Sequence, residues 1–255
     1  MLSDIPPPLV HTALGAAICA VALLLRPDAL GTQRSAIASG CLALFTGILL
    51  VGYDFLVYPP ESRPGVEGAA LPVAAVASFA TVLAGVSSLS VRIAAGTIAA
   101  LVIGGIPHLA GRRAVGREGW ATRWGRDAAG VAVLAPVLFA AASPYLPVLA
   151  RFGLVAAVGI LVSLDGLRTE RLAGWKALAG SVLVGVVLAG AAVMVSTSLS
   201  NPGLRAAGLL VLWYGLRGVA GGVAGSGAGR IALLEYGIFV VVAAAGLEWV
   251  ARTNP

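Results

Sequence analysis

Six stretches of this chain run for roughly twenty residues without a single Asp, Glu, Lys or Arg: 5–25, 35–53, 69–91, 93–111, 128–150 and 177–204. A helix rises about 1.5 Å per residue, so each run is long enough to cross the ~30 Å hydrocarbon core of a bilayer. Inside lipid no water satisfies the backbone, which leaves the helix as the economical spanning form. Three further apolar stretches are interrupted by charge: 148–164 by Arg151, 204–224 by Arg217, and 231–250 by Glu235 and Glu248. The sequence therefore predicts an all-α, polytopic integral membrane helical bundle. The count is nine transmembrane helices, with seven or eight as alternatives.

Composition excludes the soluble reading. Charged residues make up 11% of the 255, too few to cover a water-facing surface when a soluble domain carries roughly 25%. The +6 net charge would suggest a nucleic-acid partner in a soluble chain. Here the basic residues fall mostly between apolar runs, where they set orientation, and no nucleic-acid partner is expected. Cys19 and Cys41 both lie within apolar runs and read as small buried hydrophobes; no CxxC pair or disulfide framework is present. The start, Met1-Leu2-Ser3-Asp4-Ile5, has no basic segment, so the first run reads as an uncleaved span. The whole of 1–255 is expected to form one membrane domain with no soluble domain. A division near residue 127 into two halves, as many transporters have, is an alternative without visible side-chain correspondence.

The weakest point in the span count is 128–164, where Ser143-Pro144-Tyr145-Leu146-Pro147 breaks the run. Two short pieces result, and the sequence favours a tight hairpin of spans over two half-helices. With nine spans, one side carries Arg63, Arg112, Arg113, Arg117, Arg123, Arg126, Arg168, Arg171, Lys176, Arg217 and Arg230, which is 11 basic residues. The other side carries Arg26, Arg34, Arg92, Arg151, Arg205 and Arg252, which is six. The richer side is expected to be cytoplasmic, with the N-terminus inside and the C-terminus outside a cell membrane.

Thirty-four glycines allow close helix approach, since lipid supplies no hydrophobic drive between helices. Gly218 to Gly222, and Gly221 to Gly225 to Gly229, are small-xxx-small spacings that would suit helix pairing or a homo- or hetero-oligomer contact. The longest polar stretch, 111–127, is a candidate interfacial segment. Arg112 and Arg113 would meet anionic lipid headgroups, and Trp120 and Trp124 would share one helical face at the acyl boundary.

Ionisable groups within or beside spans are costly, so each is a candidate site. Tyr53-Asp54 is expected to end the second span, Pro107-His108 the fourth and Asp165 the sixth. Arg217 stands near the end of the eighth, one turn after Trp213 and Tyr214, and Glu235-Tyr236 opens the ninth, five residues after Arg230. A shared depth makes one polar cluster of Asp54, His108, Asp165, Arg217 and Glu235 conceivable, its acids paired with Arg217 or Arg230. It would line a cavity for a polar or anionic substrate, pin helix ends, or snorkel to water. Glu248 and Arg252 suit an i,i+4 surface pair. His11 carries less weight than His108. Two separated histidines give no metal site, and no cofactor is implied.

The Gly-rich run 221–230 lacks the Lys-Ser/Thr of a phosphate loop and follows no strand; it reads as a loop between packed helices. HExxH, Gly-x-Ser-x-Gly and Asp-x-x-x-Asp are absent. Asp165-Gly166-Leu167-Arg168 lacks the other aspartates of the membrane CDP-alcohol phosphotransferases. Three functional classes fit: a small transporter or permease, an integral subunit or scaffold of a membrane complex, or an enzyme acting on a lipid headgroup. The first leads.

Overall fold

Each apolar run becomes a helix because nothing in it offers the backbone a better partner than itself. The structure, a computed structural model, orders them as α1 (Pro7–Leu24), α2 (Thr32–Val57), α3 (Ala70–Gly85), α4 (Leu89–Ala114) and α5 (Trp120–Ala142). There follow α6 (Val148–Thr169), α7 (Gly174–Val195), α8 (Pro202–Ala224) and α9 (Gly229–Thr253). A 3-10 turn, Val66–Ala69, leads into α3. The structure describes all residues except 1–6, 25–31, 61–62, 64, 86–87, 115–118, 143–146, 170–171, 173, 196–200, 225–228 and 254–255. Among the described residues there is no strand.

Six of these helices carry membrane-length apolar windows: Ile37–Val57, Leu89–Ile106, Trp124–Ala142, Val148–Arg168, Gly174–Val195 and Pro202–Val223. The other three, α1, α3 and α9, hold shorter apolar stretches, Leu9–Val21, Ala70–Ala80 and Tyr236–Val250. The outward face of α2 shows what such a helix presents. Ile37, Leu44, Ile48 and Leu56 are 60 to 81% exposed along one stripe, a surface suited to lipid and not to water. Hydroxyls within the spans bond back to their own helix: Thr46 Oγ1 donates to the Leu42 carbonyl at 2.7 Å, and Thr97 Oγ1 to Ile93 at 3.0 Å.

Several boundaries differ from the sequence reading. The pieces flanking the proline break are full helices of 23 and 22 residues, not short ones, because α5 begins well before the apolar run and α6 runs past Asp165. Residues 143–146 of that break lie outside the described residues. The 111–127 stretch falls largely on two helices. Its start completes α4, which ends at Ala114, and its end opens α5 at Trp120. Arg126, assigned to a loop from sequence, is 3% exposed inside α5. Cys19 is buried as expected, but Cys41 is exposed on the outer face of α2.

The chain forms two compact units, Met1–Val133 and Leu134–Pro255, and α5 runs through the boundary. In the first, α1 packs on α4 and α3 on both α2 and α4. A methyl group on Gly15 would lie 2.6 Å from the Ala100 carbonyl oxygen, and one on Gly104 2.7 Å from the Thr12 Cα. Backbone therefore meets backbone where α1 and α4 cross, as glycine alone permits. In the second unit α6 packs on α7, α7 on α8, and α8 on α9. The α7 face carries Ala177, Ser181, Gly185 and Ala189, small residues four apart and all buried. A methyl group on Gly185 would lie 2.8 Å from the Ile160 nitrogen and 2.9 Å from the Ala156 oxygen. The units order their helices differently: first against fourth in one, neighbour against neighbour in the other.

Helix α8 starts on a built cap. Asn201 Oδ1 accepts the Gly203 N–H at 2.8 Å, the Asn201 carbonyl accepts from the Arg205 N–H at 3.2 Å, and Pro202 fills the first helical position. Replacing Asn201 by Ala is expected to cost about 1 kcal/mol. That lowers the melting temperature in detergent by roughly 2–4 °C, and Asn201→Asp should retain most of it. An Asn201→Ala protein melting with the wild type would show the cap to be unimportant.

Candidate functional site

Asp54, His108, Asp165 and Arg217 lie one or two turns inside their helices, whereas Arg230 is the second residue of α9 and Trp120 the first of α5. Asp54 is followed by the last turn of α2, His108 by six further residues of α4, Asp165 by a turn of α6 and Arg217 by two turns of α8. A helix does not stop at a polar side chain in the interface, because stopping would expose carbonyls that the next turn satisfies.

In the carboxy-terminal unit α6 and α8 bring two candidates to one level. Trp213 Nε1 on α8 donates to Ser163 Oγ on α6 at 2.9 Å, with both side chains buried. One turn further along, the Arg217 guanidinium presses on the backbone of Gly166. A methyl group there would stand 2.5 Å from Nε and 2.6 Å from Cζ. Arg217 Cζ also lies 5.8 Å from the Trp213 ring centroid, within cation–π range. Asp165, next to Gly166, is 3% exposed and Arg217 6%. A buried carboxylate and a buried guanidinium thus occupy adjacent helices at the same depth.

Near Asp165 in sequence, Leu167, Leu172 and Ala177 form an apolar cluster with Leu164 and Ala220. Arg168 Nη1 donates to the Leu172 carbonyl at 2.9 Å. On α9 the Tyr236 ring covers Gly218, the residue after Arg217, and the Tyr214 ring packs at a tilt against Tyr236 at 5.2 Å and Phe239 at 4.8 Å. The backbone of Glu235 therefore stands on α9 at the level of Arg217 and Gly218. The side chains of Glu235 and Arg230 lie outside the described residues, as does the 225–228 part of the glycine run.

In the amino-terminal unit, Asp54 is half-buried in the last turn of α2, and its carbonyl accepts the Tyr58 N–H at 3.0 Å. Arg63 returns to cap that helix: Nη2 donates to the Phe55 carbonyl at 3.1 Å and the Tyr58 carbonyl at 3.4 Å, and Cζ sits 3.9 Å over the Phe55 ring. Burial, then the charge of Asp54 and the neighbouring Tyr53, push the Tyr58 hydroxyl above its ordinary value. The sequence reading gave His11 less weight than His108. His11 is 1% exposed and meets the Tyr53 ring edge-on, centroids 5.0 Å apart at 71°.

His108, Arg112 and Arg113 lie on α4, and Trp120 opens α5. Their side chains are outside the described residues. Trp124, one turn on, is 64% exposed, while Thr122 and Arg126 on the other face are buried. Among the described residues no group of three His, Cys, Asp or Glu could hold a metal ion. The candidates thus divide between the units: Asp54 and His108 belong to one, Asp165, Arg217, Arg230 and Glu235 to the other.

These features define a class, the multi-pass α-helical membrane proteins. No protein-family model, curated protein or solved structure matches the chain.

Proposed function

We propose that the chain is a small transporter or permease for anionic solutes, with its charged site in the carboxy-terminal unit on Arg217 and Asp165. The observation that carries this is the buried guanidinium of Arg217. It lies within the membrane-length window Pro202–Val223, set beside Asp165 in the window Val148–Arg168. Charge at such depth is costly, and proteins keep it mainly along substrate or ion paths. A guanidinium offers a planar fork that matches carboxylate or phosphate oxygens. An acid alongside supplies a partner that an incoming anion would displace. Nine crossings, with the arginine-rich helix ends in the cytoplasm and the N-terminus inside, complete this reading. Trp124 and the α4 arginines Arg112 and Arg113 would then meet the anionic headgroups there.

Proteoliposomes carrying the purified chain are the test, with radiolabelled phosphate, sulfate and short-chain carboxylates as solutes. Wild-type vesicles should take up at least one of these above empty vesicles. Arg217→Ala should lower that uptake about tenfold or more, the equivalent of losing one charge-assisted contact. Arg217→Lys should recover only part, since ammonium lacks the fork. Uptake equal to that of empty vesicles for every solute, or unchanged in Arg217→Ala, would remove the proposal.

A further inference from the structure

An arginine head that meets an anion gives up the rotamer freedom of a long side chain, so a site works best when that freedom is already lost. Two groups border the Arg217 guanidinium and restrict it. The first is Gly166 on α6. A methyl group there would stand 2.5 Å from Nε, 2.6 Å from Cζ and 3.1 Å from Nη2, so the guanidinium occupies the space that the Cβ of any other residue would fill. The second is the Trp213 ring, one turn earlier on the same face of α8, with its centroid 5.8 Å from Cζ.

The ring is fixed in turn. Its Nε1–H donates to Ser163 Oγ on α6 at 2.9 Å, and both residues are buried. A buried indole N–H left bare is costly, so the one hydroxyl within reach selects how the ring lies. Ser163 and Gly166 are three residues apart on α6, and Trp213 and Arg217 four apart on α8. The two contacts therefore repeat one turn apart along one seam. This seam is not what holds α8 in place. Helix α7 packs on both α6 and α8, and α9 seats Val240 and Tyr236 on Gly215 and Gly218 of α8. What the seam adds is the placement of a ring and of the charge beside it.

We infer that Ser163 and Gly166 are positioning residues for Arg217: Ser163 acts through the Trp213 ring, and Gly166 by leaving the guanidinium its place. What the guanidinium is positioned for rests on the transporter reading; that it is positioned does not. A methyl group at 166 displaces the fork without removing any polar group. The atoms it meets are the far end of a flexible side chain, so Arg217 gives way and α6 and α8 keep their places. Loss of the Ser163 hydroxyl acts differently. It frees the indole to turn, and the charge next to the ring loses one of its two borders.

Trp213 supplies the readout. Replacing Trp120, Trp124, Trp175 and Trp249 by Phe leaves it as the single tryptophan of the purified chain in detergent micelles. Excitation moves electron density across the indole, so the emission maximum shifts with a charge nearby. Arg217→Met should shift that maximum, and the size of the shift reports how closely the guanidinium is held to the ring. In a Gly166→Ala or a Ser163→Ala background the same substitution should produce less than half of that shift. Ser163→Thr, which keeps the hydroxyl, should preserve most of it. A full-sized shift in either alanine background overturns the inference, since a plain tie between helices would leave it untouched. No shift on Arg217→Met in the parent overturns it as well. In proteoliposomes, Gly166→Ala should raise KM about tenfold for the phosphate, sulfate or carboxylate that the wild type takes up, with little change in maximal rate. An unchanged KM in a transporting protein also counts against the inference. Absence of uptake in the wild type removes the transporter reading alone, because the emission shifts are measured with no anion added.

Discussion

Gly185→Leu is expected to abolish the monodisperse peak of the purified protein in detergent, while Gly190→Leu leaves it in place. The difference is local geometry. A side chain at 185 meets the Ile160 nitrogen at 2.8 Å and the Ala156 carbonyl oxygen at 2.9 Å, so its first carbon already collides with the backbone of α6. No rotamer relieves such a contact; the two helices must move apart. Overpacking a fitted interface costs typically ~1–3 kcal/mol, and a whole leucine wedged between two backbones belongs at or beyond the upper end. Separation also strips the buried stripe Ala177, Ser181, Gly185 and Ala189 of its partner, and in lipid that packing is most of what holds two helices together. Gly190 has no atom within 4 Å of its would-be methyl, so a leucine there extends into open space. Gly185→Ala should be intermediate, with a melting temperature lowered by several degrees. A Gly185→Leu protein that elutes and melts like the wild type would mean that α6 and α7 do not pack as described.

The bundle was legible because an uncharged run of twenty residues has few alternatives to a helix in lipid. The helix ends were less so. Tyr53-Asp54, Pro107-His108 and Asp165 read as terminators when polarity is the guide, yet α2, α4 and α6 continue past them. Hydropathy marks where lipid stops, whereas hydrogen bonding decides where a helix stops, and the two differ by a turn or more at an interface. The α5 start shows the same effect: Arg126 looks like loop and is buried helix. The capping of α8 by Asn201-Pro202-Gly203 was written in the sequence and obscured by the apolar run on either side.

The positions of the candidate residues along their helices were legible, their pairing was not. Distances along each span placed Asp165, Arg217 and Glu235 near one end of their helices, and α6, α8 and α9 do carry them at one level. Which glycines mattered was hidden by their number. The sequence pointed to Gly218–Gly222 and Gly221–Gly229. Gly218 does seat an aromatic ring, but the α6–α7 contact runs through Gly185, in a stripe that looked like ordinary apolar sequence. Tertiary pairs such as Ser163–Trp213 and His11–Tyr53 have no local signature at all.

Asp165 and Arg217 should prove thermodynamically coupled. Each is buried in a helix that faces hydrocarbon elsewhere, and the Arg217 guanidinium rests on the residue next to Asp165. Removing one member of a buried charge pair typically costs about 3–5 kcal/mol, because the other charge is left in a medium of low dielectric constant. Asp165→Asn and Arg217→Met should each destabilise the protein on that scale. The double variant should lose clearly less than the sum, with a coupling energy of about 1–3 kcal/mol, since neither charge is then stranded. Methionine preserves the stem that lies along Gly166 and Trp213, so the cycle reports on charge and not on a cavity. Equilibrium unfolding in mixed micelles gives the four free energies. Additive losses would place the two groups in separate electrostatic environments and leave the proposed anion site with a guanidinium but no counter-ion. Coupling of the expected size would mean that an arriving anion competes with Asp165 for Arg217. Asp165→Asn should then bind substrate anions more tightly while releasing them more slowly.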